Sequence, residues 1–256
     1  MKQLVLLSVI FCVLGVQAAP DRTSRIINGQ IANNQPSNAY ILYTRADTFG
    51  YFGGGTIISD RHILTAALNI VGFVRWDVGV GSNIFTQLGT VTSYTAQAHP
   101  SYNSANRAND IGVITLPVSL VISANVAPIA LPPLNSAPGY PFENEQGTIV
   151  GFGFTDLAAT VRPSYLMRAT QRVISNTRCQ QYYQITVPSQ FCAEDVVERS
   201  NVCNGDLGAG FISSINGQQT VTGIASLITQ SCGNSYPAGY TRVESHRSWI
   251  NSVTGI

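Results

Sequence analysis

The sequence predicts an all-β protein, a sandwich or barrel, and three observations carry that prediction. Short runs rich in β-branched and aromatic residues alternate with turn residues. Glycine (23) and proline (12) interrupt the chain at short intervals. The middle of the chain lacks the 10–15-residue amphipathic periodicity of helices. Many short strands with few helices define a sandwich or barrel architecture.

The elements follow in order. Lys2 supplies a positive start and residues 4–16 an apolar stretch, and Val16-Gln17-Ala18 offers small or apolar residues at a cleavage site. Residues 1–18 therefore read as a secretory signal peptide, with residues 19–25 left as a short leader. Tyr40-Ile41-Leu42-Tyr43, Gly55-Thr56-Ile57-Ile58 and His62-Ile63-Leu64-Thr65 read as strands, the last two joined by Ser59-Asp60-Arg61. Ile111-Gly112-Val113-Ile114 and Gly147-Thr148-Ile149-Val150 follow. The clearest hairpin runs from Phe211-Ile212-Ser213-Ser214-Ile215 through Asn216-Gly217 into residues 218–226. Asn-Gly is the favoured pair where both turn residues need φ > 0. Two stretches read as helical: a short turn over residues 176–183, and residues 243–253. In the latter Val243, His246, Trp249, Ile250 and Val253 share one face. The stretch Leu131-Pro132-Pro133-Leu134-Asn135-Ser136-Ala137-Pro138-Gly139 reads as a linker between near-equal halves.

Composition narrows the function classes. The 256 residues are 45% hydrophobic and 11% charged, with a formal net charge of +1. That balance argues against a nucleic-acid or polybasic membrane binder. No apolar run beyond the N-terminus reaches the ~18 residues of a membrane span. Secretion implies an oxidising compartment. Cys12 leaves with the signal peptide, and Cys179, Cys192, Cys203 and Cys232 allow three pairings. No His-x-x-x-His, Glu-x-x-His or Cys-x-x-Cys spacing suggests a metal, and no cofactor is expected. Lys2 is the only lysine. Arginine stays charged above pH ~12 whereas lysine titrates near ~10.4, so an arginine-only chain suits alkaline fluid.

Seven landmarks then occur in one order: Arg25-Ile26-Ile27-Asn28-Gly29, Gly54-Gly55-Thr56-Ile57-Ile58, Leu64-Thr65-Ala66-Ala67, Asn109-Asp110-Ile111, Gly205-Asp206-Leu207-Gly208, Ser226, and the run from Tyr236 to Val243. Together they resemble the chymotrypsin/trypsin-like serine proteases, and in style the insect digestive chymotrypsin-like enzymes. The resemblance implies two antiparallel six-stranded β-barrels, spanning 26–134 and 135–256, with a cleft between them and a C-terminal helix. It implies cleavage after Arg25, with the new Ile26 amine pairing with Asp206. It also implies bridges Cys179–Cys192 and Cys203–Cys232. A third family bridge falls on Gly53 and Asn69, so both its cysteines are absent.

The family's mechanism uses a histidine base, an aspartate that orients it and a serine nucleophile. The aspartate position is Asp110. The histidine and serine positions are Leu68 and Leu207, and neither side chain can exchange a proton. The oxyanion positions are Gly205 and Leu207. The pocket positions are Asn201, Ser226, Ile228 and Ala238, with Ile228 replacing a glycine and expected to plug the pocket mouth. His62, His99 and His246 are not expected to reach the cleft centre. The resemblance therefore implies a secreted, monomeric, catalytically inactive homologue acting in a digestive lumen. Its partners would be proteases, protease inhibitors or dietary protein. A serine endopeptidase with residual or unrecognised activity is the alternative. Inactive cofactors of protease cascades usually carry a cysteine-rich N-terminal module, for which residues 19–25 leave no room.

Overall fold

The computed structural model describes residues 29–46, 50–136, 138–156, 158, 160–185, 188–195, 197–228 and 236–256. The predicted signal peptide, leader, Arg25, Ile26 and Cys232 lie outside the described residues.

Two antiparallel seven-stranded sheets build the fold. The first comprises β2 (Asn38–Thr44), β3 (Gly50–Ile57), β4 (His62–Thr65), β5 (Arg75–Val80), β6 (Gly89–Ser93), β7 (Thr95–Ala98) and β8 (Gly112–Thr115), in the order β6-β5-β2-β3-β4-β8-β7. Only Tyr94 separates β6 from β7, so the sheet's two edges are halves of one bent strand. Ser93 holds the corner, its hydroxyl donating to the Thr115 carbonyl at 2.6 Å. The second sheet contains β1 (Gln30–Ile31), β9 (Gln146–Gly151), β10 (Met167–Val173), β11 (Gln190–Glu194), β12 (Gly210–Ile215), β13 (Gln218–Leu227) and β14 (Ala238–Arg242). Its order is β1-β10-β11-β14-β13-β12-β9, and β9 also pairs with β10. That pairing closes a six-stranded barrel, with β1 added outside. The fold is thus one closed six-stranded barrel and one barrel-like sheet.

The predicted hairpin forms: Ile215 pairs with Gln218 across a turn with Asn216 at φ 51° and Gly217 at φ 82°. The helical stretches are short. α1 (Asn176–Cys179) is capped by Ser175, whose hydroxyl accepts from the Arg178 N–H. α2 (Arg247–Thr254) follows a 3-10 turn over Glu244–His246. Val243 and Ile250 are fully buried and His246 is buried too. Seven of the fourteen strands among the described residues, β1, β5, β6, β7, β10, β11 and β14, do not read as strands in the sequence. β10, MRATQRV, shows why: Arg168, Thr170 and Arg172 face outward, and the buried Gln171 puts a polar residue in the inward, otherwise apolar set.

Two connections cross the chain's midpoint. β1 pairs with β10 in the second sheet although it precedes the first. Conversely, Val243 and Ile250 join Leu64, Ala66, Ile111 and Val113 of the first sheet in one apolar cluster that also holds Val221 and Ile224. Burial of that shared cluster, at ~25 cal/mol per Å², fixes the two sheets against each other and defines the cleft edges.

Candidate functional site

The cleft is where loops from both sheets meet. A 3-10 turn over Ala67–Asn69 places Leu68. Asp110 precedes β8, after Asn109 at φ 54°. Leu207 sits in the turn between Cys203 and β12, and Ser226 lies near the end of β13. The fold brings these four together. Asp110 is fully buried, with Oδ1 accepting from the Leu68 N–H at 2.9 Å and Oδ2 from the Ser226 hydroxyl at 2.6 Å. Burial pushes its carboxyl up to about 6, against the opposing pull of Ser226 and Leu68. The half-buried Leu68 side chain packs on the shared apolar cluster. No imidazole accompanies Asp110. Its hydrogen bonds instead tie a loop of the first sheet to a strand of the second.

Asn69 was read in the sequence only as an absent cysteine, and the structure gives it a larger part. Its side-chain amide donates to Thr65 Oγ1 at 3.0 Å and to the Leu207 carbonyl at 2.9 Å. Gly54 N–H donates to that same carbonyl at 2.9 Å. A Cβ on Gly53 would stand 2.7 Å from both Asn69 Nδ2 and Leu207 O, so the glycine makes room for this contact. A hydrogen-bonded amide thus crosses from the Leu68 loop to the Leu207 loop. Asn69→Ala should therefore lower unfolding stability by roughly 1–3 kcal/mol, because it removes buried hydrogen bonds. Urea denaturation checks this.

Asp206 is fully buried and accepts from the Cys203 N–H at 3.0 Å and the Gly153 N–H at 2.8 Å. Burial raises its carboxyl to about 6 despite those two donors. Gly205 has φ +97°, and a Cβ there would come 2.0 Å from the Phe52 ring, so Phe52 lies directly on this turn. The N–H groups of Gly205 and Leu207 have no acceptor among the described residues.

The residues at the expected pocket positions bond and pack within the protein itself. Asn201 is buried, donates to the Tyr236 carbonyl at 2.8 Å, and accepts from the Val202 N–H at 2.9 Å and from Gln171 at 3.2 Å. Gln171 in turn accepts from the Tyr240 hydroxyl. An amide held at both ends is ill suited to reading a ligand. Ala238 is buried in the second barrel's core with Val202 and Ala225, and Ile228 packs against that core.

The histidines are not where a base is needed. His62 Nδ1 lies 2.9 Å from the Ser59 hydroxyl. His99 packs edge-on to His246, with ring centroids 5.2 Å apart. His246 meets the Arg242 carbonyl through Nδ1 at 2.7 Å and Asn109 Oδ1, beside Asp110, through Nε2 at 3.0 Å. Burial lowers the affinity of both His99 and His246 for a proton. Among the described residues no group of three His, Cys, Asp or Glu side chains could hold a metal ion.

Cys179 and Cys192 are joined, with Cα atoms 5.5 Å apart. Cys203 is also disulfide-bonded, to a partner outside the described residues.

A fold of this kind, with its cleft between a closed barrel and a barrel-like sheet, defines a class, and the comparisons name it. The family described as Trypsin matches residues 26–250. The chain belongs to that family. It is 29% identical over 242 residues to a chymotrypsin of Phaedon cochleariae, covering 92% of this chain and 84% of that protein. It is 28% identical over 221 residues to "Inactive CLIP domain-containing serine protease A8" of Anopheles gambiae, covering 80% and 59%. A solved collagenase structure superposes with a TM-score of 0.79 at 30% identity, covering 90% of this chain and 99% of that one.

Proposed function

We propose that this chain is a secreted, non-catalytic member of the trypsin family that acts by binding polypeptides at its cleft. The observation that carries the reading is the pair Leu68 and Leu207, set around Asp110 and Ser226 in the cleft. A leucine at Leu207 has no oxygen to attack a carbonyl, and one at Leu68 cannot take or return a proton. Removing one member of such a triad typically costs ~10⁴- to 10⁶-fold in rate. The internally bonded and packed pocket positions Asn201, Ala238 and Ile228 support binding without the deep side-chain selection of a protease. Cleavage after Arg25 would release the Ile26 amine to pair with the buried Asp206 carboxylate, since either charge alone is costly to bury. The candidate partners are proteases, protease inhibitors or dietary protein in an alkaline lumen.

Residual hydrolysis is the second reading. One observation favours it: the N–H groups of Gly205 and Leu207 lack an acceptor among the described residues, and such donors stabilise an oxyanion. One experiment separates the two. The protein is expressed, cut after Arg25, and incubated with chromogenic peptides and, separately, with immobilised casein and a polypeptide protease inhibitor. The proposal expects retention on a polypeptide with no turnover above a mock preparation. Turnover above the mock would establish the second reading.

A further inference from the structure

The cleft margin beside Gly205 carries a cation that the family pattern did not single out. Arg162 is exposed, and its guanidinium carbon lies 3.5 Å from the Phe52 ring centroid. The same carbon lies 5.6 Å from the Phe154 centroid. Its Nη1 donates to the Tyr40 hydroxyl at 3.4 Å. The two phenylalanine rings meet edge-to-face at 5.3 Å, and both flank the turn that carries Leu207. Phe52 lies on Gly205, and the Phe154 N–H donates to the Asn204 carbonyl at 2.9 Å.

Hydrogen bonds join Thr155 and Asp156 to Thr160 and Val161, next to Arg162. Asp156 accepts from the N–H groups of Thr160 and Val161, each at 2.8 Å, and from the Thr160 hydroxyl at 2.7 Å. The Thr155 N–H closes the loop on the Val161 carbonyl at 3.1 Å. Arg162 forms no salt bridge among the described residues. On the same strand face as Phe52, its pairing partner Leu42 is 37% exposed. The margin therefore presents a fixed, unpaired guanidinium on an aromatic bed beside an aliphatic side chain. Ring faces hold an arginine by cation–π attraction while its N–H edges stay free for a carboxylate.

We infer that this ledge selects an acidic polypeptide segment, with Arg162 binding an Asp or Glu side chain next to an apolar residue resting on Phe52 and Leu42. The inference rests on the reading of the chain as a polypeptide binder and specifies the partner's chemistry. A pre-organised cation loses little freedom on pairing, so its charge acts mainly on partner choice and association rate.

The test uses the full chain cut after Arg25 and three pools of random dodecapeptides in which half the positions hold Glu, Gln or Lys. The wild type should retain the Glu pool about fivefold more than the Gln pool and retain the Lys pool least, with the preference fading as salt rises. Arg162→Glu should reverse the order of the Glu and Lys pools. Arg172→Glu, an equal charge change on the outer face of β10, should leave the order intact. Unchanged order in Arg162→Glu, or equal loss in Arg172→Glu, overturns the inference while leaving the binding reading standing. Retention of no pool overturns both.

Discussion

Installing a histidine and a serine together, Leu68→His with Leu207→Ser, should raise peptide hydrolysis by at least about 10³-fold over either single variant. The expectation follows from what surrounds the two leucines. Asp110 is already buried, and Ser226 and the Leu68 N–H already hold its carboxylate. An imidazole at position 68 would gain an anionic partner, and Asp110 would gain a cation that relieves the burial now raising it to about 6. The N–H groups of Gly205 and Leu207 are already without an acceptor among the described residues. Each single variant lacks either nucleophile or base, and triad members act as a unit, so their effects are not additive. Ile228→Gly added to the pair should extend turnover to peptides with large side chains, because Ile228 stands at the position read as a pocket-mouth glycine in the family and its side chain packs against the barrel core. Steady-state assays on small and large chromogenic peptides measure both effects. Equal activity in the double variant and the Leu207→Ser variant would mean that Asp110 cannot serve an imidazole in this cleft.

The second large effect is a pH dependence that the cut after Arg25 should abolish in part. Asp206 is fully buried and its carboxyl is raised from 3.8 to about 6. A carboxyl raised in the folded state binds its proton more tightly there than in the unfolded chain. Its contribution to stability is fully present below about pH 4, is lost as pH rises through 6, and stays lost above. The shift corresponds to roughly 3 kcal/mol. The Asp110 carboxyl, also raised to about 6, adds a second loss of the same sign and window. In the uncut chain stability should therefore fall between pH 4 and 7. In the cut chain the Ile26 ammonium would hold the Asp206 carboxylate, and the Asp206 part of the fall should disappear. Asp206→Asn in the uncut chain should flatten the profile to a similar degree. Urea midpoints at pH 4.5 and 7.5 for the three proteins check this. Identical profiles for cut and uncut chains would remove the proposed pairing.

Much of this molecule was legible in the sequence, and particular residues show where legibility ended. The Asn216-Gly217 pair identified its hairpin because the turn's backbone demand is local. α2 was readable because Val243, Ile250 and Val253 repeat at helical spacing. β10 was obscured because Gln171, a polar residue, takes a buried inward position between the outward Thr170 and Arg172 and so breaks the apolar alternation. The bend at Ser93-Tyr94-Thr95 carries no glycine, proline, asparagine or aspartate. Its corner depends on the Ser93 hydroxyl reaching Thr115, a contact 22 residues away. Within the site, Leu68 and Leu207 were readable because flanking residues keep the family pattern. Asn69 was not, since its value lies in reaching a carbonyl 138 residues distant. Arg162 and its two phenylalanine rings escaped notice for the same reason, Phe52 coming from β3 and Phe154 and Arg162 from the distant β9–β10 connection.

The central claim is that the cleft binds without chemistry, and intact-mass measurement of the cut chain after exposure to a fluorophosphonate tests it most directly. Leu207 offers no oxygen to phosphonylate, so the expected mass is unchanged while the Leu68→His/Leu207→Ser variant gains one adduct. A stoichiometric adduct on the wild-type chain would show a working nucleophile in the cleft and contradict the account.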